Sequence, residues 1–463
     1  MNILPGRAAD PEANNLTDSK SAAFYDEIAD YQISGRYDSG GEMSMQAAIN
    51  QPVKIFFLLS AFLFVWTASV CAQGNIHLGR VQLTAGLKYA GEYNDNIFRD
   101  ADDEESDYIH IVTPSLKLLY PGTNPGNYVQ AKYNVDIARY DDYSDTDYED
   151  HRLFGGFGYR SPAGIYLMAD DAYQNTADPY GSENTYNDGV QTERWNNTFN
   201  TTAGYDFANT YTVEAYARHF VERYDKNVDK YQDRTRITAG GMALYRFNDI
   251  QILGELRAAV VEYDEQNDDI DGWDDNNSQD HTLTEALLGF RFQPGGKIVG
   301  NAKIGYQTVS FENNEDKNGN KYDDDPQIIG EADLEYFLSE QTTFNLFGGR
   351  SLNMSVTADN ADDVSSSYMN TYGGVGVTQK IMSRFSVNVE YERNVEDYLD
   401  VSSGNDDKLL IANTLRGGLD YDINDWLDAG LIFSYKDKKS DTNQYDDDEY
   451  TVTQYGFFIE LTY

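Results

Sequence analysis

Polar side chains recur at every second position in several segments of this sequence, and their chemical types suit a hydrated surface. One segment carries Lys132, Asn134 and Asp136. Three further series are Asn196, Thr198, Asn200 and Thr202; Thr212, Glu214, Tyr216 and Arg218; and Gln251, Glu255 and Arg257. Ammonium, amide, hydroxyl, carboxylate and phenol groups together bind water, ions and sugar hydroxyls. We predict that these series line a pore, and the alternative is a lumen closed by side-chain networks and loops.

Acidic segments offer a second chemistry, which is cation binding. Asn267–Asp274 places oxygen ligands at alternate positions with Gly272 at the turn, like the first half of a calcium loop. The closing glutamate is missing, because position twelve is Ser278. A looser pattern spans Asp316–Asp325. We expect no cofactor. Calcium is the one candidate ligand, and the alternative is that these are solvated loops that keep the surface polar.

The histidines give little support for an enzyme. They are His77, His110, His151, His219 and His281. None lies in an HExxH spacing, and no Gly-x-Ser-x-Gly element occurs. His219 has acidic neighbours near the end of a predicted strand, so a composite active site would be sought there. We expect no enzymatic activity. We also expect no nucleic-acid partner, because a formal net charge of −43 repels phosphate.

Alternating β-strands are the elements that must position the polar series. From Val81 onward, apolar and polar residues alternate over about 10–14 residues, then break and resume, which is the length that a spanning strand requires. The breaks are of two kinds, short turns such as Ser161–Gly164 and long acidic segments such as Asn94–Asp107. About nine long and eight short connections predict an antiparallel up-and-down transmembrane barrel of about eighteen strands with periplasmic termini.

The carboxy-terminal strand supports a membrane barrel. Tyr455, Phe457, Ile459, Leu461 and Tyr463 form one unbroken apolar face. Such a strand closes an outer-membrane barrel and faces lipid, and it resembles the signal that the barrel assembly machinery recognises. The alternatives are an edge strand of a soluble sandwich and a β-propeller. A propeller would carry a blade motif, and none is visible.

Composition agrees with a barrel in the outer membrane of a Gram-negative bacterium. Mean hydropathy is −0.62, but alternation and polar loops hide the apolar band of a barrel from such an average. Disorder is disfavoured by 37 Tyr, 22 Phe and 4 Trp. These aromatic residues suit girdles at the two membrane interfaces.

An apolar run near the amino terminus predicts a signal peptide. Lys54 precedes the run Ile55–Val70, and small residues lead to a cleavage site after Ala72. We therefore expect residues 54–72 to be the signal peptide and residues 73–463 the barrel. Residues 1–53 are expected to be an unstructured extension from a start codon assigned too far upstream, together with the basic part of the leader, with Met43 or Met45 as the true start.

A short motif carries a family resemblance. Tyr93–Phe98, followed by Ser106–Ile109 and Pro114–Leu116, resembles the opening of the outer-membrane β-barrel porin 2 family. Many members of that family are encoded with exopolysaccharide synthesis and export genes. The resemblance implies polysaccharide export or porin-like solute diffusion, and it supplies no catalytic residues.

Two functional hypotheses remain from the sequence. The first is a passive or gated passage, serving exopolysaccharide export or porin-like diffusion, with the polysaccharide export apparatus as a partner. The second is a non-conducting structural or adhesive barrel with calcium-binding loops. Lipid and lipopolysaccharide are expected partners in both. Arg139, Arg350 and Arg393 follow apolar faces and could pair with lipopolysaccharide phosphates, and simple snorkelling to the interface is the alternative.

Overall fold

The architecture was obtained as a computed structural model of the chain. It describes residues 76–124, 126–178, 192–208, 210–225, 233–248, 250–263, 280–292, 296–312, 326–354, 367–399, 408–441 and 449–463. The predicted signal peptide, the upstream extension and the two calcium-like segments lie outside these residues.

The described residues form nineteen β-strands and one short 3₁₀ helix. The strands are β1 Ile76–Leu78, β2 Val81–Asn94, β3 Asp107–Pro121, β4 Tyr128–Tyr140, β5 Tyr148–Arg160, β6 Ile165–Asp178, β7 Thr192–Phe207, β8 Tyr211–Tyr224, β9 Arg234–Phe247, β10 Ile250–Tyr263, β11 His281–Phe292, β12 Ile298–Phe311, β13 Gln327–Phe337, β14 Thr342–Met354, β15 Ser367–Ile381, β16 Phe385–Tyr398, β17 Leu409–Asn424, β18 Leu427–Ser440 and β19 Tyr450–Thr462. The 3₁₀ helix, Ser144–Thr146, lies between β4 and β5. Among the described residues, no helix is long and apolar enough to span a membrane.

The eighteen long strands, β2 to β19, close into one antiparallel barrel. Each strand pairs with its neighbours in the chain, and β19 pairs with β2 from Gln454↔Asn94 to Thr462↔Gly86. Backbone hydrogen bonds between Ala85 and Tyr463 extend this seam. The three-residue strand β1 pairs with the start of β2, beyond the point where β19 ends. The predicted fold class and strand count are therefore confirmed.

Two ends of the barrel differ in their connections. Nine connections longer than six residues lie at one end, which we call the loop end; the shorter ones lie at the other, the turn end. This is the alternation that the sequence predicted. Which end faces the periplasm is not fixed by the strand geometry, so periplasmic termini remain a prediction.

The outward face of the barrel is apolar. Leu256, Leu288 and Ile304 are 69%, 70% and 64% exposed on three neighbouring strands. On the last strand, Tyr455 and Phe457 are also about half exposed. A continuous apolar surface of this extent requires lipid rather than water around it, so the strands present a membrane-facing band.

Candidate pore lining

The second face of each long strand points into the barrel, and it is polar. Gln251 and Glu255 are 2% and 3% exposed, whereas Leu256, the next residue along the strand, is 69% exposed. Residues opposite one another in an antiparallel pair share a face, so the register carries this assignment from strand to strand. The interior is lined by charged, amide, hydroxyl and aromatic side chains, with apolar clusters such as Met242, Leu244 and Leu253 between them.

The first predicted series lies on this inner face. Lys132 lies 5.6 Å from the ring centroid of Phe154, which is opposite it on β5. Asp136 accepts hydrogen bonds from Thr113 and from Arg152, both at 2.5 Å. Asn134 lies between them in the strand. The structure thus groups the three residues on one surface, and their role in lining a conducting pore remains a prediction.

The second predicted series, on β7, faces the same interior. Asn200 donates to the carboxylate of Asp170 at 2.8 Å, and Thr198 lies opposite Ala172 and Phe220. Asn196 is 8% exposed. The series therefore forms an amide- and hydroxyl-bearing strip beside the more strongly charged strands β8 to β10.

Glu214 anchors a hydrogen-bonded bridge across several strands. Its carboxylate accepts from the Tyr166 hydroxyl at 2.6 Å and from both terminal nitrogens of Arg291, at 2.6 and 3.0 Å. Tyr166 can reach this carboxylate because its ring lies over Gly204, where an added Cβ would come within 2.1 Å of the ring. The bridge links β6, β8 and β11. Bidentate arginine–carboxylate contacts of this kind are strong and geometrically specific.

A second network centres on Glu255. Its carboxylate accepts from the hydroxyl of Tyr216 and contacts the ammonium of Lys303 at 2.9 Å. Lys303 also contacts Glu331 at 2.5 Å, and the guanidinium of Arg257 contacts both glutamates at 3.7 and 3.5 Å. The Glu255 side chain is 1% exposed. Because each cation touches two or more carboxylates, the network fixes β8, β10, β12 and β13 relative to one another.

Glu285 extends this network toward the loop end. Its carboxylate accepts from Arg257 Nε and, at 2.7 Å, from the amide of Gln307. Gln307 in turn accepts a hydrogen bond from the backbone N–H of Leu352 at 3.2 Å. Nearer the loop end, the carboxylate of Glu222 contacts Arg234 at 2.8 Å and Arg194 at 3.7 Å. Glu222 and Arg194 are both 1% exposed.

These contacts define two walls of the lumen. The basic wall is the inner face of β7 to β12, whose cations outnumber its carboxylates. Its cations are Arg194, Arg218, Arg234, Arg236, Arg246, Arg257, Arg291 and Lys303, and its carboxylates are Asp206, Glu214, Glu222, Glu255 and Glu285.

The acidic wall is the inner face of the remaining strands, and its carboxylates outnumber its cations. Its carboxylates include Glu331, Asp333, Glu335, Glu390, Glu392, Glu396, Asp420, Asp422, Asp428, Glu460, Glu92, Asp136, Asp150 and Asp170. A representative contact is that of Arg416 with Glu390 and Glu392, both at 2.9 Å. These three side chains are 40%, 33% and 19% exposed, so this wall is more hydrated than the basic wall.

Two elements fold inward and narrow the loop end. In the connection after β2, Ile97 is 2% exposed and packs with Ile109, Ala138 and Tyr140, which lie on the inner face of β3 and β4. This element covers one side of the opening.

The second inward element is the end of the β14–β15 hairpin. Leu352 lies in outward phase with Leu346, yet it is 7% exposed and packs with Val309 and Phe311 on the inner face of β12. The paired part of β13 ends at Gly330↔Arg350, so no described residue of β13 pairs with the hairpin beyond Arg350. It bends into the lumen, where the side chain of Gln307 accepts a hydrogen bond from the Leu352 N–H.

Comparison with known families identifies the chain. The model of the family described as Putative beta-barrel porin 2 matches residues 72–456. The chain belongs to this family. The resemblance inferred from Tyr93–Phe98 is thereby confirmed, and the protein is an outer-membrane β-barrel of the porin-like kind. Among curated proteins, none matches the sequence significantly.

Comparison of this porin 2 family member with solved structures finds matches at low sequence identity. The siderophore receptor PirA from Acinetobacter baumannii shares 8% identity, with 83% of this chain and 80% of that chain covered and a TM-score of 0.44. The outer membrane protein opdK from Pseudomonas aeruginosa shares 12% identity over 82% and 99% of the two chains, with a TM-score of 0.41. The OmpTdeltaL8 protein of Vibrio cholerae shares 13% identity, with 84% of this chain and 100% of that chain covered and a TM-score of 0.34.

The motif that carries the family resemblance closes the barrel seam at the loop end. Asp95 exchanges hydrogen bonds with Thr453 of β19, through its backbone and its carboxylate. The Asn96 amide donates to the carbonyls of Thr451 and Asp100, and its carbonyl accepts from the Asp100 N–H. Asn96 is fully buried. The motif therefore joins the first long strand to the last, a role that the sequence alone did not indicate.

The barrel histidines do not converge on a lumenal site. His219, the position singled out for a composite active site, lies on the outward face between Phe199 and Ile237. His110 and His151 also face outward, and each has its Nδ1 within 2.9 Å of a tyrosine hydroxyl. Among the described residues, no group of three or more His, Cys, Asp or Glu side chains could hold a metal ion.

The three arginines proposed to contact lipopolysaccharide lie on outward faces with nearby protein partners. Arg139 contacts the carboxylate of Glu149 at 2.7 Å, Arg350 donates to Thr371 at 2.7 Å, and Arg393 lies 3.5 Å from the Asn413 amide oxygen. Contact with lipid phosphates remains a prediction for all three.

The inner wall also contains residues that were not predicted from the sequence, namely Arg291, Lys303, Glu331 and Arg236. The signal was present, because each continues the polar phase of its own strand. What the sequence could not supply was the contact of Arg291 with Glu214, which is three strands away in the barrel.

Proposed function

We propose that this porin 2 family protein forms a hydrated passage across the outer membrane, serving exopolysaccharide export or porin-like solute diffusion. The observation that carries the proposal is the closed barrel of eighteen strands, each of which carries charged or polar side chains on its inner face. A barrel of this strand number encloses a lumen wide enough for water and solute. The exopolysaccharide assignment rests on the resemblance of the Tyr93–Phe98 motif.

We further propose that the loop end faces the cell exterior and both termini face the periplasm. Short turns on the periplasmic side and long loops outside are the usual arrangement of such barrels. In this orientation, the two inward-folded elements narrow the outer mouth of the passage, and the acidic carboxylates Asp420, Asp422 and Asp428 lie toward the inner mouth.

A non-conducting barrel is the second candidate, and the narrowed loop end is the observation that favours it. Single-channel recording of the purified protein in a planar bilayer separates the two functions. Stable conductance steps with cation preference support the passage. A barrel that inserts and shows heat-modifiable migration, yet stays silent, supports a structural or adhesive role.

A further inference from the structure

Four arginines form a patch on the basic wall toward the loop end. We call Arg218, Arg234, Arg236 and Arg257 the arginine patch. They lie on the inner face of β8, β9 and β10, where Arg218 is opposite Thr238 and Arg257 is opposite Gly240. Arg236 lies within electrostatic range of the other three. A concentration of positive charge is unexpected in a chain of formal charge −43. Whether each arginine is paired with a carboxylate decides whether it stabilises the wall or is available to a ligand.

Three members of the arginine patch are compensated by carboxylates. Arg257 contacts Glu255, Glu285 and Glu331. Arg234 forms an ion pair with Glu222 at 2.8 Å. Arg218 interacts electrostatically with Asp170. The charges of these three arginines are therefore balanced by carboxylates of the barrel.

Arg236 differs from its neighbours. Within the described part of the chain, it makes no hydrogen bond or ion pair, and the carboxylate within its electrostatic range is that of Glu285. Glu285 already accepts from Arg257 and Gln307. Arg236 is half-buried on the inner face, opposite Phe220 and Val261. No described residue therefore takes its guanidinium donors, and they face the lumen.

The groups around Arg236 favour a sugar acid as that occupant. A guanidinium binds a carboxylate through two parallel hydrogen bonds and prefers it to a neutral group. Strand β7, which lies on the far side of β8, presents the strip of Asn196, Thr198 and Asn200. Thr198 lies opposite Phe220 of β8, which in turn lies opposite Arg236. The amides and hydroxyl of this strip can bind sugar hydroxyls. We propose that Arg236 is the centre of a lumenal binding site for the carboxylate groups of an acidic, uronate-containing polysaccharide. The assignment deepens the proposed function and rests on it for the identity of the cargo.

Binding at Arg236 can be measured separately from conduction, so the binding site and the proposed passage can be tested independently. The full chain is purified from outer membranes in detergent and titrated by calorimetry with an oligogalacturonate, a neutral malto-oligosaccharide of equal length, and acetate. We expect the oligogalacturonate to bind, with affinity falling as salt rises. Arg236→Gln should weaken binding about tenfold, which is the loss of a charge-assisted hydrogen bond. Arg236→Lys should weaken it less, since the charge remains.

Arg416→Gln is the matched control, because Arg416 is a lumenal arginine that is already paired with Glu390 and Glu392. It should retain the affinity of the parent protein, and heat-modifiable migration verifies that each variant is folded. Equal binding by Arg236→Gln and the parent would overturn the site, as would equal binding of the neutral oligosaccharide. Acetate binding as tightly as the oligomer would overturn the polymer assignment. Retained oligogalacturonate binding by a barrel that is silent in bilayers would refute the passage and leave the site standing.

Discussion

The two walls of the lumen use the same strand geometry and differ in how their charges are held. On the basic wall, the Glu255 side chain is 1% exposed and its carboxylate contacts Tyr216, Lys303 and Arg257. On the acidic wall, Glu390 is 33% exposed and is paired with Arg416 alone among the described cations. The first arrangement is a dehydrated network, whereas the second is a hydrated surface with an excess of carboxylates.

The difference shows how a barrel can specialise its interior without changing its exterior. Both walls present the same apolar face to lipid, as Leu256 on one side and Phe457 on the other illustrate. Because successive residues of a strand point to opposite faces, inner substitutions leave the membrane band intact. Opposite charge on facing walls also sets up a field across the lumen, in which a cation and a carboxylate-bearing solute favour different sides.

The largest expected effect is on stability, because removing a carboxylate should destabilise the basic wall more than the acidic wall. Glu255→Ala removes a shared partner of Tyr216, Lys303 and Arg257 in a dehydrated site, and we expect the free energy of unfolding to fall by about 3 kcal/mol. Glu390→Ala is the matched change on the acidic wall and should cost less than about 1 kcal/mol, because exposed pairs contribute little. Denaturant unfolding of the folded barrel in detergent measures both. Equal losses would mean that the two walls are held alike.

The second effect tests what orders the acidic wall at its loop end. There the inward connection after β2, rather than an ion-pair network, ties the strands together. Asn96→Ala removes three side-chain hydrogen bonds at a buried position, and we expect a loss of about 1–3 kcal/mol in unfolding free energy. Asp102→Ala, on an exposed residue of the same connection, is the control and should be neutral. A neutral Asn96→Ala would show that the seam holds without the motif.

The third effect concerns selectivity. If the lumen conducts, its excess of carboxylates should favour cations. The double variant Glu390→Gln with Glu392→Gln should lower the ratio of cation to anion permeability by about twofold, as read from the reversal potential in a salt gradient. Glu149→Gln removes a carboxylate from the outward face and should leave the ratio unchanged. An unaltered reversal potential in the double variant would indicate that the acidic wall does not line the ion path.

The barrel itself was predictable from the sequence, and the reason is physical. Each strand must alternate, and each must be followed by a turn or a loop, so the strand count can be read from the chain. The phase of the alternation also identified Glu255 and Arg257 as inner residues. Lys132 and Asp136 were placed on the correct surface by the same signal.

The organisation of the lumen was not predictable, because its contacts join residues far apart in sequence. Arg291 meets Glu214 across three strands, and Leu352 meets Phe311 only because the hairpin end bends inward. Leu352 continues the outward phase of Leu346, but the described part of β13 does not pair with the hairpin beyond Arg350, and the Leu352 side chain is buried inside. The alternation of apolar and polar residues predicts which face of a strand a residue lies on. It does not predict where the pairing between two strands ends.

The smallest effect is the pH dependence of one hydrogen bond in the connections beside the acidic wall. Tyr143 lies in the connection between β4 and β5, and its hydroxyl donates to the Glu105 carboxylate at 2.6 Å. This hydrogen bond raises the pKa of Tyr143 to about 12, from an ordinary value of about 10. Because the folded-state pKa is the higher one, the contribution of this bond to stability is complete below about pH 10 and is lost as the pH rises through about 12.

Ultraviolet titration of phenolate formation in the folded barrel measures this pKa by difference against Tyr143→Phe. The difference spectrum should develop near pH 12, and in Glu105→Gln it should move toward the ordinary value. A difference spectrum that develops near pH 10 in the parent protein would show that Tyr143 does not donate to Glu105. In that case the β4–β5 connection is held to the start of β3 by the carboxylate of Asp107, which accepts from the backbone N–H groups of Asp142 and Tyr143.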